Sequence, residues 1–183
     1  MRDQFKKILK ISVFTGFILL VLILTAKVNT ASAESISREQ FLAINLVNNI
    51  RLENGLNTLK WNYKLANAAL DKANDMNQDK YFDHTAPDGR KAWDFIIAEG
   101  YEYKTAGENL AIDFKDVDNA TVAWEKSPTH FKNIISSEFN EFGFAEINAN
   151  IEGHDTKVFV QIFGTEKSEY DRMFTNLIEG NGG

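Results

Sequence analysis

The chain has three histidines, His84, His130 and His154, and no cysteine. Any metal site in it must therefore be built from imidazole and carboxylate, the strong ligand types that remain. His130 lies in Thr121 to Ile135, TVAWEKSPTHFKNII. There Ser127 reads as a helix N-cap and Pro128 as the first helical residue, which places His130 in the first turn. Phe131, Ile134 and Ile135 form an apolar stripe beside it. The positive end of a helix dipole disfavours imidazolium, so the ring is either a neutral metal ligand or proton acceptor, or a hydrogen-bonded core residue. Ser127 next to a histidine has the composition of a nucleophile, although capping already accounts for it. His84 sits in YFDHTAPDG, a loop closed by the turn signature Pro87-Asp88-Gly89, and either serves a site or bonds its own loop. In GENLAI, Glu108 alternates onto the same face as Leu110 and Ile112. A carboxylate there needs a partner unless the strand edge is reached at that point and water solvates it. His154 falls in the polar turn Glu152-Gly153-His154-Asp155 and reads as solvated.

These residues need elements to hold them. Ser37-Arg38-Glu39-Gln40 is a capping box, and Phe41, Ile44, Val47 and Ile50 continue it at helical spacing up to Asn54-Gly55. Asn62 can cap a second helix, with Leu65, Ala69, Ala73 and Met76 in one line and an end near Asp79. A third helix is expected over 90–98 with Trp93 and Ile97 inward, stopped at Gly100. A fourth runs from Asp116 to Trp124 with Val117, Ala120 and Trp124 inward, and the His130 stretch makes a fifth. Phe142 to Ile147 and Val158 to Phe163 read as the two clearest strands and, with a polar loop between them, as an antiparallel hairpin. Ser168 to Ile178 starts Ser-x-x-Asp and reads as one more amphipathic helix, followed by a disordered Gly180 to Gly183.

At 183 residues and 44% hydrophobic, the chain has material for one domain with appendages. Arg2, Lys6, Lys7 and Lys10, an apolar run from Ile11 to Ala26, and Ala31-Ser32-Ala33 give residues 1–33 the form of an export signal cut after Ala33. An uncleaved membrane anchor is the alternative. Those residues hold five basic groups and one acidic, so their removal takes 20 basic and 26 acidic groups to 15 and 25, a net charge of −10. Such a surface is matched neither to nucleic acid nor to anionic lipid headgroups. Any contact with a membrane would run through the leader alone.

Six segments in order resemble the CAP superfamily of cysteine-rich secretory, antigen 5 and pathogenesis-related proteins, in its bacterial secreted branch. They are NLVNNIRLENGLNTLKWNYKLANAALDKANDM, FDHTAPDG, GENLA, AWEKSPTHFKNII, EFGFAEI and VFVQIFG. The resemblance implies an α+β fold, a three-layer α/β/α sandwich with a small antiparallel sheet, over residues 37–165, leaving 166–183 as C-terminal helix and tail. It implies a central cleft holding His84, Glu108 and His130, with Ser127 where the family usually has a second glutamate. It further implies a divalent cation, zinc by ligand type, on His84, His130 and Glu108. Glu108 is the one candidate for a catalytic base, and as a ligand it would be consumed, so whether the protein is an enzyme stays open. The expectation is a monomeric, secreted or cell-envelope, non-enzymatic module that binds a small-molecule, lipid or protein ligand. The alternatives are a hydrolase of peptides or envelope polymers, and a scaffold whose tail docks a partner.

Overall fold

The computed structural model of the chain describes residues 35–179. The expected leader, residues 1–33, and the expected tail, Gly180 to Gly183, lie outside the described residues. Helix α1, Arg38–Glu53, opens on the capping box: Gln40 N–H donates to Ser37 Oγ and Ser37 N–H donates to Gln40 Oε1. It buries Ala43, Ile44, Val47 and Ile50. Phe41, expected inward, is 60% exposed. At 100° per residue it stands roughly 120° round the helix from Val47, off the buried face.

Strand β1, Lys60–Trp61, leads into α2, Tyr63–Asp79, which is capped by Asn62 through the Lys64 and Leu65 N–H groups. Leu65, Ala69, Ala73 and Met76 are fully buried, and the alanines let the helix lie close on the sheet. Helix α3 spans Ala92–Ala98. It starts later than expected because Asp94 takes the Lys91 N–H, while Arg90 turns away to Asp88 and Asp75. That late start shifts the phase: Ala92, Phe95 and Ile96 are buried, Trp93 is half-buried and Ile97 is exposed.

The remaining elements are β2, Tyr103–Ile112; α4, Val117–Lys126; α5, Pro128–Ile134; β3, Glu141–Ile151; β4, His154–Glu166; and α6, Glu169–Glu179. The sheet order is β1-β3-β4-β2. Strands β3 and β4 form the expected antiparallel hairpin, β2 is antiparallel to β4, and the two-residue β1 joins β3 in parallel. Period two gives each face its own core. Phe142, Phe144, Phe159 and Phe163 pack under α1, α4 and α5 with Val47 and Trp124. Leu110, Val158, Val160 and Ile162 pack under α2 and α3 with Leu65, Met76, Phe95 and Ile96. The fold is an α+β, three-layer α/β/α sandwich. Its two helical layers both reach β2, which is the sheet's last strand.

A slot at the edge of the sheet

The loop after α2 is anchored from below. Lys72 stands on the apolar line of α2 and is fully buried, with Nζ donating to Tyr81 Oη (2.9 Å) and to His84 O (3.3 Å). Its ammonium lies 4.8 Å from the Tyr81 ring centre and 5.7 Å from that of Phe95. Burial lowers the basicity of this amine, with Glu108 and Asp75 pulling the other way. Tyr81 Oη in turn donates to Asp75 Oδ2 (2.6 Å), and Ala86 N–H to Arg90 O (2.7 Å). His84 is thus carried on a braced turn and not on a loose one.

Glu108 finds the partner its position requires. Oε1 meets His84 Nδ1, and the carboxylate is almost wholly buried while the imidazole is 60% exposed. Oε2 is buried without a hydrogen-bond partner. The bond to Glu108 raises the affinity of His84 for a proton, against the opposing effect of its own burial. The solvated-edge alternative for Glu108 is thereby ruled out.

His130 is the third residue of α5, and its Nδ1 lies 2.8 Å from Ser127 Oγ. Ser127 does occupy the N-cap position, but its hydroxyl caps no backbone N–H. The residue also closes α4, through its N–H to Trp124 O, and its Oγ turns instead to the imidazole and to Thr129 Oγ1 at 3.3 Å. The proton affinity of the His130 ring is lowered, by burial first and by the nearby His84 second, and not by the helix dipole alone. His154 is exposed and pairs with Asp113 Oδ1 (2.9 Å) at the far end of the sheet.

Polar groups without a motif of their own in the sequence fasten α5 to β2. Asn133 Nδ2 donates to Glu108 O (3.0 Å) and to Asn109 Oδ1 (2.8 Å); Asn109 Nδ2 donates to His130 O (3.2 Å) and to Gln161 Oε1 (3.1 Å). Asn109 and Gln161 are fully buried. Gln161 was open to detection, because period two sets it between Phe159 and Phe163 on an otherwise apolar face.

These residues frame a slot of about 260 Å³ walled by His84, Lys91, Trp93, Ala106, Glu108 and Asn133. His130 and Ser127, expected in the same cleft, are not on its wall. A larger open groove of about 970 Å³ surrounds Asp113, His154 and Lys157 at the other end. Its charged groups are mostly matched already, His154 by Asp113 and Lys157 by Glu146, so the smaller slot holds the unsatisfied chemistry.

The implied three-ligand cation set is not assembled. Among the described residues no group of three or more histidine and carboxylate side chains is gathered to hold a metal ion. The donor chemistry fits a different division of labour. Both imidazoles have Nδ1 engaged by an oxygen, Glu108 Oε1 and Ser127 Oγ, so Nε2 is the atom each could offer to a cation. In such a site Glu108 would orient His84 and not itself be a ligand.

The opposed shifts of the two histidines give a pH signature. His84 binds its proton more tightly folded than unfolded, so its contribution to stability is full below the ordinary value of 6.5 and is lost as pH rises through the raised value. His130 is the reverse: its contribution is present above 6.5 and is lost as pH falls toward the lowered value. We expect the urea midpoint of wild type to exceed that of His84→Gln by more at about pH 6 than at about pH 8.5. An equal difference at both values would mean that His84 stays neutral beside Glu108.

Residues 44–163 match the sequence profile of the cysteine-rich secretory protein family, CAP. The chain is 32% identical over 120 residues to the uncharacterized protein YkwD of Bacillus subtilis, covering 66% of this chain and 47% of that protein. It thus spans about half the length of that relative. Among solved structures it is similar to an extracellular protein containing an SCP domain from Bacillus anthracis, with TM-score 0.62, 26% identity, and 70% of this chain and 40% of the other covered. An outer surface protein of Borrelia burgdorferi shares the fold at TM-score 0.65 and 20% identity, with 73% of this chain and 96% of the other covered. The ordered motifs, the sandwich and the matched profile together make this chain a member of the CAP family.

Proposed function

We propose that the protein is a secreted or cell-envelope CAP module that binds a ligand without transforming it, in the slot beside β2. The observation that carries this is Glu108, whose buried carboxylate has one oxygen on His84 and the other without a donor. A buried acceptor left unmet costs about 1–3 kcal/mol, which a ligand supplying an N–H or O–H would recover. The leader-like residues 1–33 support an extracytoplasmic location, as does the similarity to an extracellular protein. No helix among the described residues is long and apolar enough to cross a membrane.

A divalent cation belongs to the proposal as a weak guest of His84 and His130, with Glu108 and Ser127 orienting the rings. When bound it would supply an electrophilic anchor for a ligand oxygen. Two protein ligands make a weak site. Titrating Zn²⁺ into the full chain by calorimetry should give a binding heat that His84→Ala with His130→Ala abolishes; equal heats would remove the cation.

One contact favours hydrolysis instead: Ser127 Oγ at 2.8 Å from His130 Nδ1 has the spacing of a nucleophile and its base. No carboxylate among the described residues is bonded to the other ring nitrogen to orient it. We expect no cleavage of peptide libraries or peptidoglycan above that of Ser127→Ala. Turnover that the variant loses would establish the hydrolase.

A further inference from the structure

The strand order leaves β2 with one edge on β4 and the other unpaired by any strand of the sheet. Asp113, directly after β2, donates its N–H to Lys157 O of β4. Gly107, Asn109 and Ala111 share its parity, so the even residues Ala106, Glu108 and Leu110 turn their N–H and C=O groups to the outer edge. Two of those carbonyls are met by side chains from the neighbouring helices. Asn133 Nδ2 donates to Glu108 O (3.0 Å) and Trp124 Nε1 to Leu110 O (2.9 Å). Covering an edge in this way blocks the addition of another strand. The cover stops at Glu108. Ala106 is only half-buried and Lys104 is exposed. At that point the slot opens, with Ala106 and Gly107 on one side and Ala92 and Trp93 among its other walls.

We infer that this uncovered edge is a docking site for an extended peptide, which adds as a strand beside β2, pairs with Ala106 and sets a carboxamide side chain against Glu108. The inference rests on the ligand-binding reading of the same slot. Ala106 offers one N–H and one C=O along the edge, the two groups that an antiparallel hydrogen-bonded pair exchanges. The peptide residue opposite Ala106 directs its side chain to the face that Ala106 and Glu108 share. There Glu108 Oε2 lacks a donor. A carboxylate would be repelled by Glu108, and a hydrocarbon would leave Oε2 unmet. A cation would enter beside the buried ammonium of Lys72, which interacts electrostatically with Glu108, and past Lys91 on the slot wall. A carboxamide brings an N–H for Oε2 and an oxygen for Lys91, with no charge to desolvate.

The test titrates synthetic Ac-Val-Thr-Xaa-Thr-Val-NH₂ peptides, with Xaa as Asn, Gln, Leu, Lys or Asp, into the ¹⁵N-labelled full chain. The Asn or Gln peptide should bind about tenfold more tightly than the Leu, Lys and Asp peptides and slow exchange of the Ala106 amide about tenfold. N-methylation of Xaa should weaken that peptide about tenfold, whereas N-methylation of the following Thr, whose N–H faces away from β2, should not. Binding led by the Leu, Lys or Asp peptide overturns the carboxamide. Shifts at His84 and Trp93 without protection of Ala106, and with equal loss on either methylation, overturn the strand pairing and leave ligand binding in place. Absence of any shift in the slot overturns the peptide, and leaves the cation on His84 and His130 to be decided separately by the zinc titration.

Discussion

Gly143→Ala should unfold the domain or bring it to the margin of folding. A Cβ at 143 would stand 2.2 Å from Ala66 N and from Leu65 C, and 2.6 Å from Leu65 O. All three are backbone atoms of the first turn of α2, so no side chain can rotate away to make room. That turn is itself fixed by the Asn62 cap and by the fully buried Leu65. Relief would need α2 to lift from β3, opening the core that Leu65, Ala69 and Met76 share with Val160 and Ile162. We expect a loss of roughly 3 kcal/mol or more, and a melting temperature lower by about 10 °C. The control is Gly153→Ala in the β3–β4 turn, where the added Cβ has nothing within 4 Å and φ is +85°. It should cost only about 1 kcal/mol, from the left-handed backbone. Urea unfolding of both variants checks the pair; equal costs would show that α2 is not seated directly on β3. The slot would report the same change, because α2 carries Lys72 and Lys72 holds the His84 backbone.

The elements with local chemical signals were legible in the sequence. Ser37 with Gln40, and Asn62, each cap the helix assigned to them, since a cap is a contact between residues two or three positions apart. The two strands of the hairpin were equally plain, because two short apolar runs rich in Val, Ile and Phe flank one polar turn. Short elements were less so. Helix α3 has seven residues, too few for a period to fix both ends: Trp93 packs on the core as its spacing suggests, while Ile97 is left exposed. In the site, the burial of Glu108 followed from its face, but its partner His84 lies 24 residues away, and only the family resemblance joined them. Lys72 was hidden for the opposite reason: a lysine on a helix reads as solvated until Tyr81 and His84 O are seen to receive it. Ser127 carried two competing readings, cap and nucleophile, and at the shared junction of α4 and α5 its hydroxyl caps no N–H and meets the imidazole.

Arg51→Met should cost about 3 kcal/mol and loosen the segment that follows α5. Arg51 is 2% exposed and is paired with no carboxylate among the described residues. It is held by carbonyls: Nε donates to Asn57 O (2.8 Å), Nη1 to Ile134 O and Ser136 O (2.8 Å each), and Nη2 to Phe139 O (3.5 Å). Ile134 is the last residue of α5, so the guanidinium sits at the negative end of that helix and meets an orphan carbonyl there. Burial makes the proton of Arg51 easier to remove, but a guanidinium keeps its charge across the accessible pH range. Methionine fills much of the same volume and leaves these carbonyls without donors. Arg51→Lys should fail almost as badly, because one ammonium cannot span acceptors in α5, in the loop after it and in the connector at Asn57. Since α5 carries both His130 and Asn133, amide exchange should quicken over residues 134–140 and next at Asn109, whose backbone pairs with β4 and whose side chain Asn133 bonds. A variant that loses stability with unchanged exchange at Asn109 would separate the clamp from the slot. Matched acceleration at both would make this buried cation, which lines no wall of the slot, part of what holds the slot in shape.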